Sequence, residues 1–325
     1  MKDLNATTKK ILSIFDDGNY HDGSSIGQKL NISRAAVWKH IQQLQTLGIE
    51  FTSTKGKGYC LQKPIILLDK KRIEQAIHQN FSNTTVYVTD HIVSTNEYLK
   101  EQHDDSNFNF CIAEQQTKGK GRFDRIWHSP FAQNIYFSVK HQTLQDISKL
   151  SGLSLAVAVA IIHILKKIGI NADIKWPNDI LYQKKKLAGI LIEVTAQPNT
   201  QTNIIIGIGL NVNMETDQEN ISSDWISISQ ILQKQFDRNA LIEILCKELS
   251  DMITEFEHSG IKNYLDLYHK HHFLTDKHIS LQAGKMKYTG KVIGISELGY
   301  LKLLLPNGEI KNFSSGEVTI DKNSL

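Results

Sequence analysis

Proline is scarce, with five in 325 residues, and no low-complexity tract or internal repeat interrupts the chain; a disordered or fibrous protein is thereby excluded. Cysteine is scarcer still. Cys60, Cys111 and Cys246 stand far apart without any CxxC spacing, so neither a disulfide framework nor a zinc knuckle is expected. Long apolar runs are missing as well. SLAVAVAIIHIL and NIIIGIGLNV read as too short or too interrupted for a bilayer span, and MKDLNATTKK is not followed by a signal-peptide core, so the expectation is a cytoplasmic protein with no membrane partner. What is present, 40% hydrophobic and 22% charged residues in 325, is the composition of a folded chain of two or three domains.

The net charge of +3 is unevenly placed, because residues 1–63 carry +4 and the remainder about −1. A basic excess confined to one end suits a nucleic-acid partner there. NATTKKILSIF spaces its apolar residues at helical intervals behind Asn5 or Thr7 as a cap. HDGSSIGQKL reads as a second, short helix, and Leu30-Asn31-Ile32-Ser33 as a turn whose Ser33 caps a third. That helix, RAAVWKHIQQLQTLG, lines up Ala36, Val37, Ile41, Leu44 and Leu47 and stops at Gly48. IEFTSTKGKGYCLQ then supplies a strand, a glycine turn and a second strand. The pattern is a winged helix-turn-helix over residues 1–63, closed by Pro64. Ser33, Arg34, Trp38, Lys39 and Gln42 would meet DNA from the third helix, and Lys55 and Lys57 would meet phosphates from the wing tip. A three-helix protein-interaction domain with a solvated basic face is the competing reading.

KGKG occurs a second time, at Lys118–Gly121, without the glycine spacing of a dinucleotide loop or the GK[ST] of a P-loop. Its company is cationic: Lys118, Lys120, Arg122 and Arg125 lie between the apolar strand FCIAEQQ and Trp127 with NIYFSVK. A mobile basic loop of this kind suits a polyphosphate or an acyl phosphate, whose charge it would neutralise; a solvated basic loop is the plainer alternative. Ser94, Thr95 and Asn96 open a helix with small polar groups suited to capping or to a neutral polar ligand. In DIKWPNDILYQKKKLAGILIEV, Asp179 is a candidate magnesium ligand, and Lys186 a candidate partner for a carboxylate or phosphate. NIIIGIGLNVN reads as a buried strand whose Gly207 and Gly209 admit a ligand near the backbone, with Asn211 as an amide reader. The three histidines of YHKHHF read as a solvated helix end, and residues 240–268 as amphipathic helices completing the core. From His278 onward short alternating strands, with Asn307-Gly308 as a hairpin turn, suggest a small five-stranded SH3-like barrel.

In this order STN, QQTKGKGRFDRIW, KWPND, the lysine before LAGIL, GIGLNVN and the C-terminal strands resemble the biotin protein ligase family. With the winged helix in front, essentially the whole chain resembles the bifunctional biotin ligase and biotin operon repressor of bacteria. The resemblance implies an α/β multidomain protein: DNA-binding residues 1–63, a central α+β, class II synthetase-like ligase domain over 64–275, and the barrel over 276–325. It implies that Ser94, Thr95, Asn96 and Gln116 surround the biotin head, that Gly119, Lys120, Gly121 and Arg122 close over the carboxylate and the adenylate, and that Lys186 and Gly189 complete the biotin site. Arg122, Arg125, Trp127, Asn178, Asn211 and Trp225 would border the nucleotide; a place in the core at a helix entry is the alternative for Trp225. Lys186, Arg122 and Asp179 would carry the catalysis, with ATP and magnesium as cosubstrate and cofactor, and Asp179 as the magnesium ligand.

The implied reaction forms biotinyl-5′-AMP and passes biotin to a lysine of biotin carboxyl carrier protein. The adenylate would also be the corepressor, ordering residues 116–127, driving homodimerisation and bringing two winged helices to operator DNA. The loop departs from the family's usual GRGR in having Lys120, which lacks the bidentate fork of arginine. The rivals are a ligase with a vestigial winged helix, a non-catalytic biotin-sensing repressor and, more distantly, a lipoate ligase.

Overall fold

The structure, a computed structural model, describes residues 3–104, 106–195, 202–215 and 224–320. Asn5 caps α1 (Ala6–Ile14) by accepting from the Thr8 amide at 2.8 Å, Asp22 caps α2 (Gly23–Leu30), and Ser33 caps α3 (Arg34–Thr46) by accepting from the Ala36 amide at 3.1 Å. Strands β1 (Phe51–Thr54) and β2 (Gly58–Leu61) pair as an antiparallel wing. Val37, Ile41 and Leu44 of α3 are buried against Ile11, Leu12, Phe15 and Ile26, which leaves the opposite face of α3 to solvent, the arrangement expected of a winged helix-turn-helix.

Past Pro64 the chain runs through α4 (Lys70–Asn80), β3 (Thr84–Ile92), α5 (Thr95–Glu101), β4 (Phe108–Gln116), β5 (Ile135–Thr143) and α6 (Leu153–Lys167). The hairpins β6 (Asp173–Lys175), β7 (Asp179–Tyr182), β8 (Lys185–Thr195) and β9 (Thr202–Leu210) follow, then α7 (Ile228–Leu232), α8 (Arg238–Ser259) and α9 (Leu265–His271). The strands form one seven-stranded sheet in the order β3-β4-β5-β9-β8-β7-β6, in which β3 and β4 are parallel and every other pair is antiparallel. Residues Ile147–Lys167 are long and apolar enough by composition to cross a bilayer, which corrects the reading of that run as too short. Eleven residues of α6, from Leu153 to Leu165, are nevertheless buried in this core.

The C-terminal strands β10 (His278–Ala283), β11 (Met286–Ile295), β12 (Leu301–Leu304), β13 (Ile310–Phe313) and β14 (Glu317–Ile320) form a five-stranded antiparallel sheet in the order β13-β12-β11-β10-β14. Among the described residues its two edge strands do not pair, so the hydrogen bonding does not close the expected barrel. Ile279, Leu281, Val292, Leu301 and Leu303 join the central hydrophobic core, and Trp176 Nε1 donates to the Gly299 carbonyl at 3.3 Å.

Two contacts fasten the remaining pieces. Arg238 and Glu114, 0% and 1% exposed, form an ion pair at 2.7 Å, and the Arg238 guanidinium also donates to the carbonyls of Asn134 and Ile66. The other contact is at the winged helix, where buried Asp90 accepts from the Leu4 amide and from Lys9 Nζ, each at 2.8 Å. Phe131 and Ala132, from the segment before β5, belong to the core of that domain.

The reading of YHKHHF as wholly solvated fails at His272, which is buried beside Tyr268, with its Nδ1 3.0 Å from Thr275 Oγ1. Burial, with help from the His269 and Lys277 charges, pushes its pKa from 6.5 down to about 4. The unfolded chain therefore takes the proton first. The stability contributed by neutral His272 is complete above pH 6.5 and is lost as the pH falls towards 4. Urea unfolding should show about 2 kcal/mol of this loss between pH 7.5 and pH 5, and His272→Gln should be less stable at pH 7.5 but flatter over the same range.

Candidate active site

The floor of the site is made by glycines on adjacent strands. Gly189 of β8 faces Gly209 of β9, and Gly207 faces Ser138 of β5. A methyl group on Gly209 would lie 2.2 Å from the Trp127 ring, one on Gly189 would lie 2.9 Å from it, and one on Gly207 would lie 2.3 Å from Asn96 Oδ1. The indole and the amide thus lie directly on the sheet, in space that any side chain would take. Trp127 Nε1 is buried with no hydrogen-bond partner.

At one end the groups are polar and, apart from Glu193 behind Asn96, neutral. Ser94, Thr95 and Asn96 are buried at the start of α5. Gln116 Oε1 accepts from the Thr95 amide at 2.9 Å and from its hydroxyl at 3.1 Å, and Gln116 Nε2 donates to Ser129 Oγ at 3.3 Å. Ser138 Oγ, fully buried, is 2.6 Å from both Thr95 Oγ1 and Asn96 Oδ1. Asn96 Nδ2 donates to Glu193 at 2.9 Å. Sequence reading missed Ser138 and Glu193, which carry no motif signature and are recruited only by strand register.

At the other end the groups are cationic. Lys186 Nζ is 2.8 Å from Asp179 Oδ1 and 5.3 Å from the centre of the Trp127 ring. Burial lowers the pKa of Lys175 and of Arg122, while Asp179 opposes that shift in both. Three cations thus surround one carboxylate in a partly desolvated setting, which favours a polyanion. Lys175 is the functional candidate passed over in the sequence, although it opens KWPND. Asn178 reaches back to this cluster, accepting from Arg122 Nη1 at 3.4 Å and donating to the Ile190 carbonyl at 2.7 Å.

Asn211 is placed otherwise than as a reader of ligand. Its side-chain amide donates to the carbonyls of Lys186 and Ile226, at 3.2 Å each, so it holds Lys186 in place. Trp225 is half-buried and lies before α7, which starts after the Ser227 cap; it forms a parallel bridge with Lys186. The magnesium expectation finds little support in the donor set. Asp179 is held by Lys186, and the described residues contain no group of three His, Cys, Asp or Glu placed to hold a metal. The side chains do not fit a resident ion.

The basic loop crosses above the site. Lys118 N donates to the Val93 carbonyl at 2.9 Å, Trp127 N to Gly119 O at 2.8 Å and Gly121 N to Arg125 O at 2.7 Å. Gly119 sits so close to the chain that a methyl there would be 2.7 Å from Trp127 O. Arg122 Nη2 donates to the Gly316 carbonyl at 3.1 Å, and Arg125 pairs with Glu317. Lys120 points elsewhere, to Glu97 Oε1 at 2.5 Å.

The other KGKG belongs to a separate two-stranded sheet, the wing. There a methyl on Gly58, φ +96°, would lie 2.1 Å from the His21 carbonyl, and Lys57 sits 5.9 Å from the centre of the Tyr20 ring. Lys55 and Lys57 are exposed, as are Arg34, Lys39, Gln42 and the 50%-exposed Trp38 on α3. The Ser33 side chain is committed to its cap.

Known proteins combine the same parts. The biotin/lipoate A/B protein ligase family matches residues 88–211, an HTH domain residues 7–60, and the biotin protein ligase C-terminal domain residues 276–320. The bifunctional ligase/repressor BirA of Escherichia coli is 35% identical over 98% of this chain and 98% of its own length. The chain belongs to the bifunctional ligase/repressor family. The Bacillus subtilis member is 31% identical over 96% of this chain and 98% of its own. The biotin protein ligase of Aquifex aeolicus, solved with biotin and ATP, superposes with a TM-score of 0.62 at 29% identity, over 74% of this chain and 99% of that one.

If the glycine floor is what seats Trp127, Gly209→Ala must lift the indole into solvent. The emission assigned to Trp127, by difference from Trp127→Phe, should shift to the red in Gly209→Ala; an unchanged spectrum would contradict the contact.

Proposed function

We propose that this chain joins biotin to ATP as biotinyl-5′-AMP, passes biotin to a lysine of biotin carboxyl carrier protein, and represses transcription through its winged helix. The observation that carries the reading is the joining of two unlike ends by one indole-and-glycine floor. Buried neutral donors and acceptors around Thr95, Asn96 and Gln116 suit an uncharged ureido head. The three cations around Asp179 suit a carboxylate meeting a phosphate.

In the first step a biotin carboxylate oxygen attacks the α-phosphorus of ATP and the bond to pyrophosphate breaks. Lys186, Arg122 and Lys175 offset the charge on the phosphoryl oxygens, and holding the two substrates in line supplies much of the rate. In the second step the carrier lysine, as a free amine, attacks the acyl carbon and AMP departs. No covalent enzyme intermediate forms. Magnesium, if bound, would be held mainly by the nucleotide's phosphates and would add to the neutralisation that Lys186, Arg122 and Lys175 provide. Ser94 closes the head pocket, while Gly119, Gly121 and Gly189 let backbone come close to the ligand. Arg125, Trp127, Asn178 and Trp225 border the nucleotide, and Asn211 serves by fixing Lys186.

The working units are residues 1–63, 64–275 and 276–325, the last read as SH3-like despite its open hydrogen bonding, in a cytoplasmic protein. Adenylate-loaded chains pair, and the two exposed α3 faces, with Arg34, Trp38, Lys39 and Gln42, meet two operator half-sites while Lys55 and Lys57 touch phosphates. The exposure of all four side chains on α3 favours this over a vestigial domain.

Labelled biotin, ATP, magnesium and a carrier domain test the ligase. Transfer to the carrier lysine is expected, reduced about a hundredfold or more in Lys186→Ala; binding of biotin without transfer would leave a sensor only. Sedimentation of the adenylate-loaded protein with operator DNA should show a dimer, and a monomer at every concentration would remove the repressor scheme.

A further inference from the structure

Lys120 carries a charge in the middle of the basic loop, yet its amine is turned away from Asp179 and Lys186. It meets Glu97 in the first turn of α5, the helix whose buried side presents Thr95 and Asn96. The loop is therefore tied on two sides. Arg122 and Arg125 hold it to the C-terminal sheet through Gly316 and Glu317, and Lys120 holds it to α5. The ties oppose an unfavourable backbone: Phe123 and Asp124 both have positive φ, 58° and 54°, a conformation that costs L-residues energy.

Among the described residues Asp124 and Glu193 also act on the Lys120 charge, after Glu97, but Glu97 is the acid it pairs with. Glu193 already accepts from Asn96 and from Lys100, the latter at 3.2 Å, and Asp124 belongs to the loop itself and cannot fasten it to anything else. We propose that Glu97 is a positioning residue: by holding Lys120 it latches the basic loop to α5 and so sets how long the adenylate is kept from water. The claim of adenylate retention rests on the ligase reading; the latch itself does not. Lys120 then works as a fastening, which explains why the fork of an arginine is dispensable at this position.

Both partners are part-exposed, 44% for Lys120 and 38% for Glu97, so the latch is modest and weakens with salt. The test uses the full chain without ligand and an arginine-specific protease, which cuts the loop at Arg122 and Arg125 only when it opens. In low salt Glu97→Gln should be cut roughly two- to fivefold faster than the unaltered protein. The difference should vanish near 1 M salt, and the exchange Glu97→Lys with Lys120→Glu should restore the slower cutting. Equal cutting in low salt would overturn the latch. So would faster cutting that persists in high salt and is not rescued by the exchange, since that reports damage to the fold. Escape of biotinyl-5′-AMP, measured alongside, should accelerate by the same factor in Glu97→Gln. An unaltered protein that forms no adenylate would overturn retention and the ligase reading together, while the protease result would still decide the latch.

Discussion

A charge pair buried to the last few per cent of its surface organises this protein. Glu114 sits in β4, two residues before Gln116, and Arg238 opens α8. Between them they take in the Leu68 amide and the carbonyls of Ile66 and Asn134. The linker, the central sheet, the longest helix and the segment leading into β5 thus meet at one point. Two charges removed from water are costly unless hydrogen bonds fill their remaining positions; fixed backbone fills three of them here, while Arg238 Nε is buried without a partner. Ile65 and Leu67 of the same linker pack on the winged-helix core, and Leu68 packs on the central core.

That junction matters because the candidate site is arranged on β4, β5, β8 and β9 and on the loops at their ends. The floor of the site is glycine, with a tryptophan laid over it and charges of both signs held close by. On the function proposed above, such ground would let a thin, largely apolar ligand lie against the backbone and leave the side chains at either end to distinguish its head from its tail. The ion pair of Lys186 and Asp179 belongs to this logic, because an ammonium already paired is positioned before any phosphate arrives.

Much of this was legible in the sequence. The caps at Asn5 and Ser33, the glycine turn of the wing and the apolar strands were set by local rules, and they stand at the expected residues. The motif residues were legible too, because glycine before a strand partner and lysine beside a carboxylate leave a local trace. What lay out of reach was everything decided by pairing at long range. Ser138 is an ordinary strand serine until register sets it opposite Gly207. Glu114 and Arg238 are 124 positions apart in number and share no pattern. His272 looked like surface because its neighbours do, and it is the bridge to Ile174 of β6 and the contact with Tyr268 that take it inside. The pairing of Lys120 also escaped, since the acid it meets, Glu97, stands 23 positions earlier on α5.

Phe131 has an implication for how such a protein can change over time. It is written into the segment that follows the active-site loop, yet it sits among the apolar residues of the DNA-binding domain, and Asp90 of the sheet is satisfied by Leu4 and Lys9 of that same domain. A descendant that discarded the first 63 residues would inherit a bare aromatic ring and an unanswered carboxylate close to its ligand-binding strands. Enzyme and DNA reader are therefore not beads that recombination can exchange freely: losing one obliges the other to be rebuilt at its seam.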